Sequence, residues 1–266
     1  MNNNNGTTNV NQLFQGAQAE GVLSSASYQA LTVTDLGAQI QAALGLPVDD
    51  FPASEVVLVT LMPDDSGSIR FAGNAAVVRE GHNQVLKALR ESKQKSSLLV
   101  HTRYLNGKVL FPYCSPDRAV DLDTHNYDPN LGTPLYDQTV VLLGTVLAKS
   151  QEFQDAGVPV RSVTLLITDG ADESSQRATS RTVAALVKDM LRAETHIVAA
   201  MGIEDGTTDF RKVFREMGIE DRWILTPGNS PTEIRRAFQL FSQSVARVSQ
   251  GIGSFGQAAM GGFGAP

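Results

Sequence analysis

The chain has a single cysteine, Cys114. It cannot form an internal disulfide and cannot by itself build a thiolate metal site, so disulfide scaffolds and zinc fingers are excluded and a reducing compartment is expected. Basic charge is not in excess either. The formal net charge is −6, which argues against a nucleic-acid backbone as the main partner. No apolar run approaches the length needed to cross a bilayer, and Met1-Asn-Asn-Asn-Asn-Gly-Thr-Thr lacks the basic and apolar regions of a secretory signal, so the reading is cytoplasmic, with no membrane partner. With 42% hydrophobic and 19% charged residues over 266 positions, the composition is that of a soluble globular protein: one large domain with appendages.

The pattern along the chain divides into four parts. Residues 1–19 are rich in Asn, Gln and Gly and carry no charged side chain, which predicts a flexible polar arm. Residues 20–54 read as a helical extension, since Leu36, Ile40, Ala43 and Leu44 recur at helical spacing before Gly45 and Pro47. Residues 55–249 form the body, and residues 250–266 a Gly-rich flexible tail in which Phe255 and Phe263 could serve as stickers. Gly251, Gly253 and Gly256 match a G-x-G-x-x-G pattern but follow a helix instead of a strand, so a dinucleotide site lacks its context.

Within the body, an aliphatic run from Val56 that Pro63 stops suits a strand buried on both faces, and a helix follows over 75–90. Asn106-Gly107 between two apolar runs signals a hairpin, hence an antiparallel strand at or near an edge. Helices are then expected over 134–153, 181–192, 210–217 and from Ser230 onward, alternating with strands over 163–168, 196–201 and 222–225. Such alternation gives an α/β fold, doubly wound, with a mostly parallel sheet and helices on both faces. Trp223, Phe238 and Phe241 read as core. His82, His101, His125 and His196 show no ligand spacing, and Cys114 reads as a small buried residue.

In open α/β sheets ligands gather at the carboxyl ends of the strands. Three such places here are rich in oxygen: Asp64-Asp65-Ser66-Gly67-Ser68, Gly132-Thr133-Pro134-Leu135 and Thr168-Asp169-Gly170. Alternation lets Asp64, Ser66 and Ser68 converge on one point of a turning loop. Carboxylate and hydroxyl donors without His or Cys select a hard cation, Mg²⁺ or else Mn²⁺ or Ca²⁺. Asp and Ser are also favoured at helix N-caps, which is the plainer use of the same residues.

This arrangement resembles the von Willebrand factor A domain with its metal-ion-dependent adhesion site. The D-x-S-x-S of that family stands here as Asp64, Ser66 and Ser68, its second-loop threonine as Thr133 and its later aspartate as Asp169, over residues 56–248. The resemblance implies a Rossmann-like sheet carrying a surface metal site that binds another protein and is not catalytic. It implies Ser66 and Ser68 as direct ligands, Thr133 as direct or water-mediated, and Asp64 and Asp169 as acting through water. Pro63, just before the metal loop, departs from the family pattern, and Asp65 is unusually acidic for its position.

Physical reasoning leads to the same place. Two carboxylates and three hydroxyls leave part of an octahedral shell to water, which a partner's Asp or Glu can displace. The expected function is therefore a divalent-metal-dependent protein-interaction module in a larger cytoplasmic assembly, by analogy of fold and size one associated with a MoxR-type AAA+ ATPase or a stress-response complex. Asp117, Arg118, Asp121, Asp123, His125, Tyr127, Asp128, Asp172 and Glu173 are candidates for the rim. The alternatives are a self-assembling subunit using its polar arms and Gly/Phe tail, and a Mg²⁺-dependent phosphohydrolase with Asp64 as nucleophile. The second lacks a carboxylate two residues on, where Ser66 stands.

Overall fold

The run Val-Val-Leu-Val-Thr-Leu-Met-Pro forms strand β1 (Val56–Pro63), and all of its residues are buried, as a strand covered on both faces requires. In the computed structural model, which describes residues 9–33, 35–249 and 262–263, β1 pairs in parallel with β2 (Leu98–Arg103) and with β4 (Val160–Thr168). Outside β2 lies β3 (Val109–Cys114), antiparallel and at the edge. Outside β4 lie β5 (His196–Gly202) and β6 (Ile224–Leu225), both parallel, which completes the order β3-β2-β1-β4-β5-β6. The hairpin turn stands at Asn106-Gly107, where Gly107 takes a φ of 91° that a side chain would disfavour.

Helices α5 (Ala75–Arg90) and α9 (Pro231–Ser249) pack on each other and on β1, while α6 (Leu135–Asp155) packs on β1 and β4 and α7 (Ser180–Arg192) on β5. The short α4 (Gly67–Phe71) follows β1, and α8 (Phe210–Glu216) follows β5. The fold is the expected α/β sheet, mostly parallel with one antiparallel edge strand. The strand expected over 222–225 is shorter, because Asp221–Trp223 winds into a 3₁₀ turn before β6.

The N-terminal region differs from expectation. Residues 10–19, expected in a flexible polar arm, form helix α1 (Val10–Ala19), capped by the Asn9 side chain on the backbone of Asn11. The cause is visible in hindsight: Val10, Leu13, Phe14 and Ala17 sit at helical spacing and are all buried, while the Asn and Gln residues between them hide that stripe in the composition. With α2 (Ser25–Leu31) and α3 (Leu36–Leu44), α1 overlays α6. That second layer explains why α6 is buried nearly all round. A Cβ at Gly144 would stand 2.7 Å from Leu31 and 2.9 Å from Ile40, so the glycine lets these side chains seat close against α6. Lys149 of α6 is fully buried yet satisfied, donating to the Leu46 carbonyl and, at 2.8 Å, to Glu152 Oε2.

At the other end, residues 250–261 and 264–266 of the predicted tail lie outside the described residues. Gly262 and Phe263 are described. Phe263 is buried, with its ring edge-on to Trp223 at a centroid distance of 5.2 Å and its N–H donated to the Arg222 carbonyl at 2.9 Å. His82, His101 and His196 are buried, and burial holds their imidazoles neutral, with pKa values pushed down to about 4, about 3 and about 4. Cys114 is half-buried in β3, and burial pushes its thiol up to about 11, the behaviour of an unreactive packing residue.

Candidate metal centre

From β1 the chain runs through α5 to β2 on one side, and from β4 through α7 to β5 on the other. The carboxyl ends of β1 and β4 therefore face a crevice where the winding reverses, the position that binds ligands in open α/β sheets. Asp64 and Asp169 are the residues that directly follow those two ends, and Pro63 pairs with Ile167 in the register just below them.

The first loop begins with Asp64, which is fully buried. Its Oδ1 accepts the N–H of Ser66 at 2.7 Å and its Oδ2 the hydroxyl of Thr168 at 2.7 Å. Ser66 occupies the N-cap position of α4 but makes no side-chain cap. Its hydroxyl instead lies 2.9 Å from that of Ser68, which donates to Asp169 Oδ1 at 2.6 Å. The plainer helix-cap use of these residues thus accounts for the Asp64 turn and not for the serines. Residues from two loops a hundred positions apart form one chain of oxygens, open to water at the exposed Ser68.

The second loop is tied to the first by backbone. Gly67 N–H donates to the Leu131 carbonyl at 2.9 Å, and the Asp65 carbonyl accepts from Asn130 and Leu131 at 3.0 and 3.1 Å. This brings Thr133 to the crevice, where it is 4% exposed. Its hydroxyl faces the third loop, since a Cβ at Gly170 would stand 3.9 Å from Thr133 Oγ1. The Thr133 carbonyl in turn accepts from the N–H groups of Glu173 and Ser174. All five residues expected at a metal site therefore lie on three loops that contact one another.

Four positioning residues were not legible as such in the sequence. Asn106, in the hairpin turn, donates its Nδ2 to Asp65 Oδ1 at 2.9 Å and to the Gly132 carbonyl at 2.7 Å, bridging first and second loops. Asp65, which looked anomalous at a variable position, is the acceptor that makes this bridge. Thr168 holds the Asp64 carboxylate. Tyr127 was expected at the rim; it is 1% exposed and its hydroxyl donates to the Asp64 carbonyl from below. A buried tyrosine in an acidic loop is a large apolar body with one hydrogen bond to place, and nothing in the local pattern says where that bond goes.

Several other rim candidates are occupied with structural work. Asp117 pairs with Lys95 at 3.0 Å and Asp121 with Arg90 at 2.9 Å. Asp123 accepts the backbone N–H groups of His125 and Asn126, and Asp172 accepts the Tyr136 backbone N–H and the Ser175 hydroxyl. Asp128 is exposed and only 4.0 Å from Arg70, while Arg118, His125 and Glu173 are exposed.

The electrostatics favour a cation. Burial pushes Asp64 up to about 7, and it also raises Asp169 above the ordinary carboxylate range. The charges acting on these two groups come from other carboxylates, Asp169 on Asp64 and Asp205 on Asp169, which raise them further. Such uncompensated buried carboxylates are costly unless something positive joins them. Among the described residues no group of three or more His, Cys, Asp or Glu could hold a metal. The donors here are hydroxyls with two carboxylates, a hard all-oxygen set that fits Mg²⁺, Mn²⁺ or Ca²⁺ better than zinc or copper.

No family model matches the chain, and no curated protein matches it. Solved structures do. The pilus adhesin SpaC from Lactobacillus rhamnosus GG superposes with a TM-score of 0.51 at 12% identity, over 74% of this chain and 31% of its own. Proximal thread matrix protein 1 from the mussel byssus, with a zinc-occupied MIDAS motif, gives 0.48 at 14% identity, over 72% of this chain and 46% of its own. The SpRpn10 VWA domain gives 0.45 at 10% identity, over 75% of this chain and 99% of its own. The chain has the von Willebrand factor A fold. It spans less than half the length of SpaC and of the mussel protein, and at these identities the likeness speaks of the A-domain fold alone.

Proposed function

We propose that this A domain is a divalent-metal-dependent protein-interaction module, with Asp64, Ser66, Ser68, Thr133 and Asp169 holding Mg²⁺, directly or through water. When bound, the ion supplies an electrophilic position that a partner's Asp or Glu can occupy by displacing water. The observation that carries this reading is the hydroxyl chain from Ser66 through Ser68 to Asp169, beside a buried Asp64 on which, among the described residues, the charge that acts is another carboxylate, Asp169. The chain's own residues orient the donors by hydrogen bonds to one another and leave the exposed Ser68 side open. By fold analogy alone, a MoxR-type AAA+ ATPase within a larger cytoplasmic assembly is the first partner class to test.

The geometry weighs against Asp64 as a nucleophile, since its side chain is fully buried and attack needs an oxygen open to substrate. Of the two phenylalanines named as stickers for self-assembly, Phe263 is packed within its own chain, while Phe255 lies outside the described residues.

Titration of the full chain with Mn²⁺ as a paramagnetic stand-in for Mg²⁺ tests the site. Wild type is expected to bind stoichiometrically, and Thr133→Ala and Asp169→Ala to lose at least about ten-fold in affinity while keeping their fold in chelator. A pull-down from the native host in Mg²⁺ and in EDTA tests the function. Equal affinity for Mn²⁺ in all three proteins, or identical captured proteins with and without chelator, rejects the proposal.

A further inference from the structure

Beside the oxygen chain stands a ridge that its chemistry does not use. Phe71, the last residue of α4, is 84% exposed, and Leu131, in the second loop, is 53% exposed. Both flank Gly67, between the two serines of the metal loop. A Cβ at Gly67 would lie 3.5 Å from the Phe71 ring and 4.0 Å from the Leu131 carbonyl, and the Gly67 N–H is bonded to that carbonyl. The backbone bridge of Ser66 with Leu131 fixes Leu131 to the rim, and Phe71 closes the helix that begins at Gly67. Arg70 stands over the Phe71 ring at 5.5 Å and reaches Asp128 only at 4.0 Å, so its charge is half-exposed on the same ridge.

Single exposed apolar residues are ordinary. What distinguishes these two is their place. They sit on separate loops, adjoin one glycine and border the open side of the oxygen set, in a chain that otherwise buries its large apolar side chains well. Besides Phe71 and Leu131, the exposed large hydrophobics among the described residues are Val33 and Val120 alone. A ring left in water at a binding rim gains affinity when a partner covers it, and aromatic side chains are the commonest anchors of protein interfaces.

We propose that Phe71 and Leu131 form an apolar clamp that selects the partner segment: one with an acidic side chain for the metal and a bulky apolar residue within two positions of it. The inference rests on the metal-binding reading above and adds the specificity element to it. Charge complementarity sets the acid, because the ion and Arg70 are the positive features of this rim. The clamp sets its neighbour, with Leu, Ile, Met or Phe favoured over polar residues. Gly67 lies between them, where a Cβ would be in ordinary contact with both the ring and the second loop.

The experiment is selection of a random peptide phage library on the immobilised full chain in Mg²⁺, with elution by EDTA, in parallel with the double variant Phe71→Ser, Leu131→Ser. Both substituted positions are exposed, and an unchanged Mn²⁺ titration verifies that the variant keeps its metal loop. Wild type is expected to enrich peptides in which an acidic residue has a bulky apolar neighbour. The variant is expected to keep the acid, lose the preference for that neighbour, and bind the wild-type clones at least about ten-fold more weakly. Acid-containing clones with no apolar preference, or the same preference in the variant, overturn the clamp and leave the metal reading standing. An absence of any EDTA-eluted enrichment overturns the metal reading itself.

Discussion

Asn106 offers a sharp test of how the centre is assembled, because it touches none of the five oxygen donors and was marked by the sequence only as a turn residue. Replacing it with alanine removes two side-chain hydrogen bonds, one to the Asp65 carboxylate at 2.9 Å and one to the Gly132 carbonyl at 2.7 Å. A bond to a charged acceptor contributes about 1.5–3 kcal/mol and a neutral one about 1 kcal/mol. Water competes for both here, since Asn106 is half-exposed and the Gly132 contact lies at the surface, so a net loss of about 1–2 kcal/mol is expected. For a domain of this size that lowers the melting temperature by roughly 2–8 °C. The metal effect should be larger in proportion. With the bridge gone, the second loop keeps its backbone ties to Asp65 and Gly67 but loses the side chain that holds Gly132, the residue before Thr133. Removing such supporting partners typically costs about 10–100-fold in metal affinity. Thermal unfolding in EDTA measures the first effect and Mn²⁺ titration the second. If Asn106→Ala binds Mn²⁺ as tightly as wild type while melting lower, the bridge stabilises the loops without positioning Thr133, which refutes a role for Asn106 in the metal site.

Two further outcomes follow from packing and from charge. Phe263→Ala removes a buried ring that touches Trp223 and Phe241; a loss of about 2–3 kcal/mol is expected, below a full core deletion because the site lies near the chain end. Trp223 is the only tryptophan, so its emission should shift to the red in the variant, and unchanged emission with an unchanged urea midpoint would refute the contact. The buried histidines predict acid sensitivity. His82, His101 and His196 have folded-state pKa values of about 4, about 3 and about 4, below the unfolded value of 6.5. The unfolded chain therefore binds these protons first, so stability is complete above pH 6.5 and falls as pH drops from there toward 4, by roughly 1–2 kcal/mol for each histidine at pH 5. Urea midpoints that do not move between pH 7 and pH 5 would contradict this.

How much of this was legible beforehand depended on whether a residue's role is written in its type. Strands β1, β4 and β5 and helices α5, α6, α7 and α9 could be read because burial imposes a period on apolar residues, and a period survives without knowledge of the partner. That Asp64, Ser66, Ser68, Thr133 and Asp169 stand on neighbouring loops could be read for a related reason: hydroxyls and carboxylates at this end of the sheet are few, and the fold brings those loops together. Helix α1 was missed because its apolar stripe is diluted by Asn and Gln, so composition pointed to an arm while Val10, Leu13, Phe14 and Ala17 already held the helical spacing. The docking of Phe263 was out of reach, since a Gly-rich segment carries no period at all.

The acidic loop shows the limit most clearly. Tyr127, Asp121 and Asp123 all stand in one acidic loop, and charge density alone made them equivalent. The structure separates them by what each lacks: Tyr127 needed a single acceptor and found the Asp64 carbonyl, Asp121 found Arg90, and Asp123 took the N–H groups of its own turn. Meanwhile the exposed residues left without such an obligation, Phe71 and Leu131, carry no charge and drew no notice in the sequence. For a site that recruits a partner, this ordering follows from the physics. Polar groups at a folded surface are satisfied first by the chain itself, because leaving them unpaired when a partner covers them is costly. The surface that remains available is apolar, and its contribution to binding grows with the area that the partner removes from water. Specificity beside the metal is therefore better sought in what the chain leaves unsatisfied than in its densest cluster of charges, and the serine substitutions at Phe71 and Leu131 measure that difference directly.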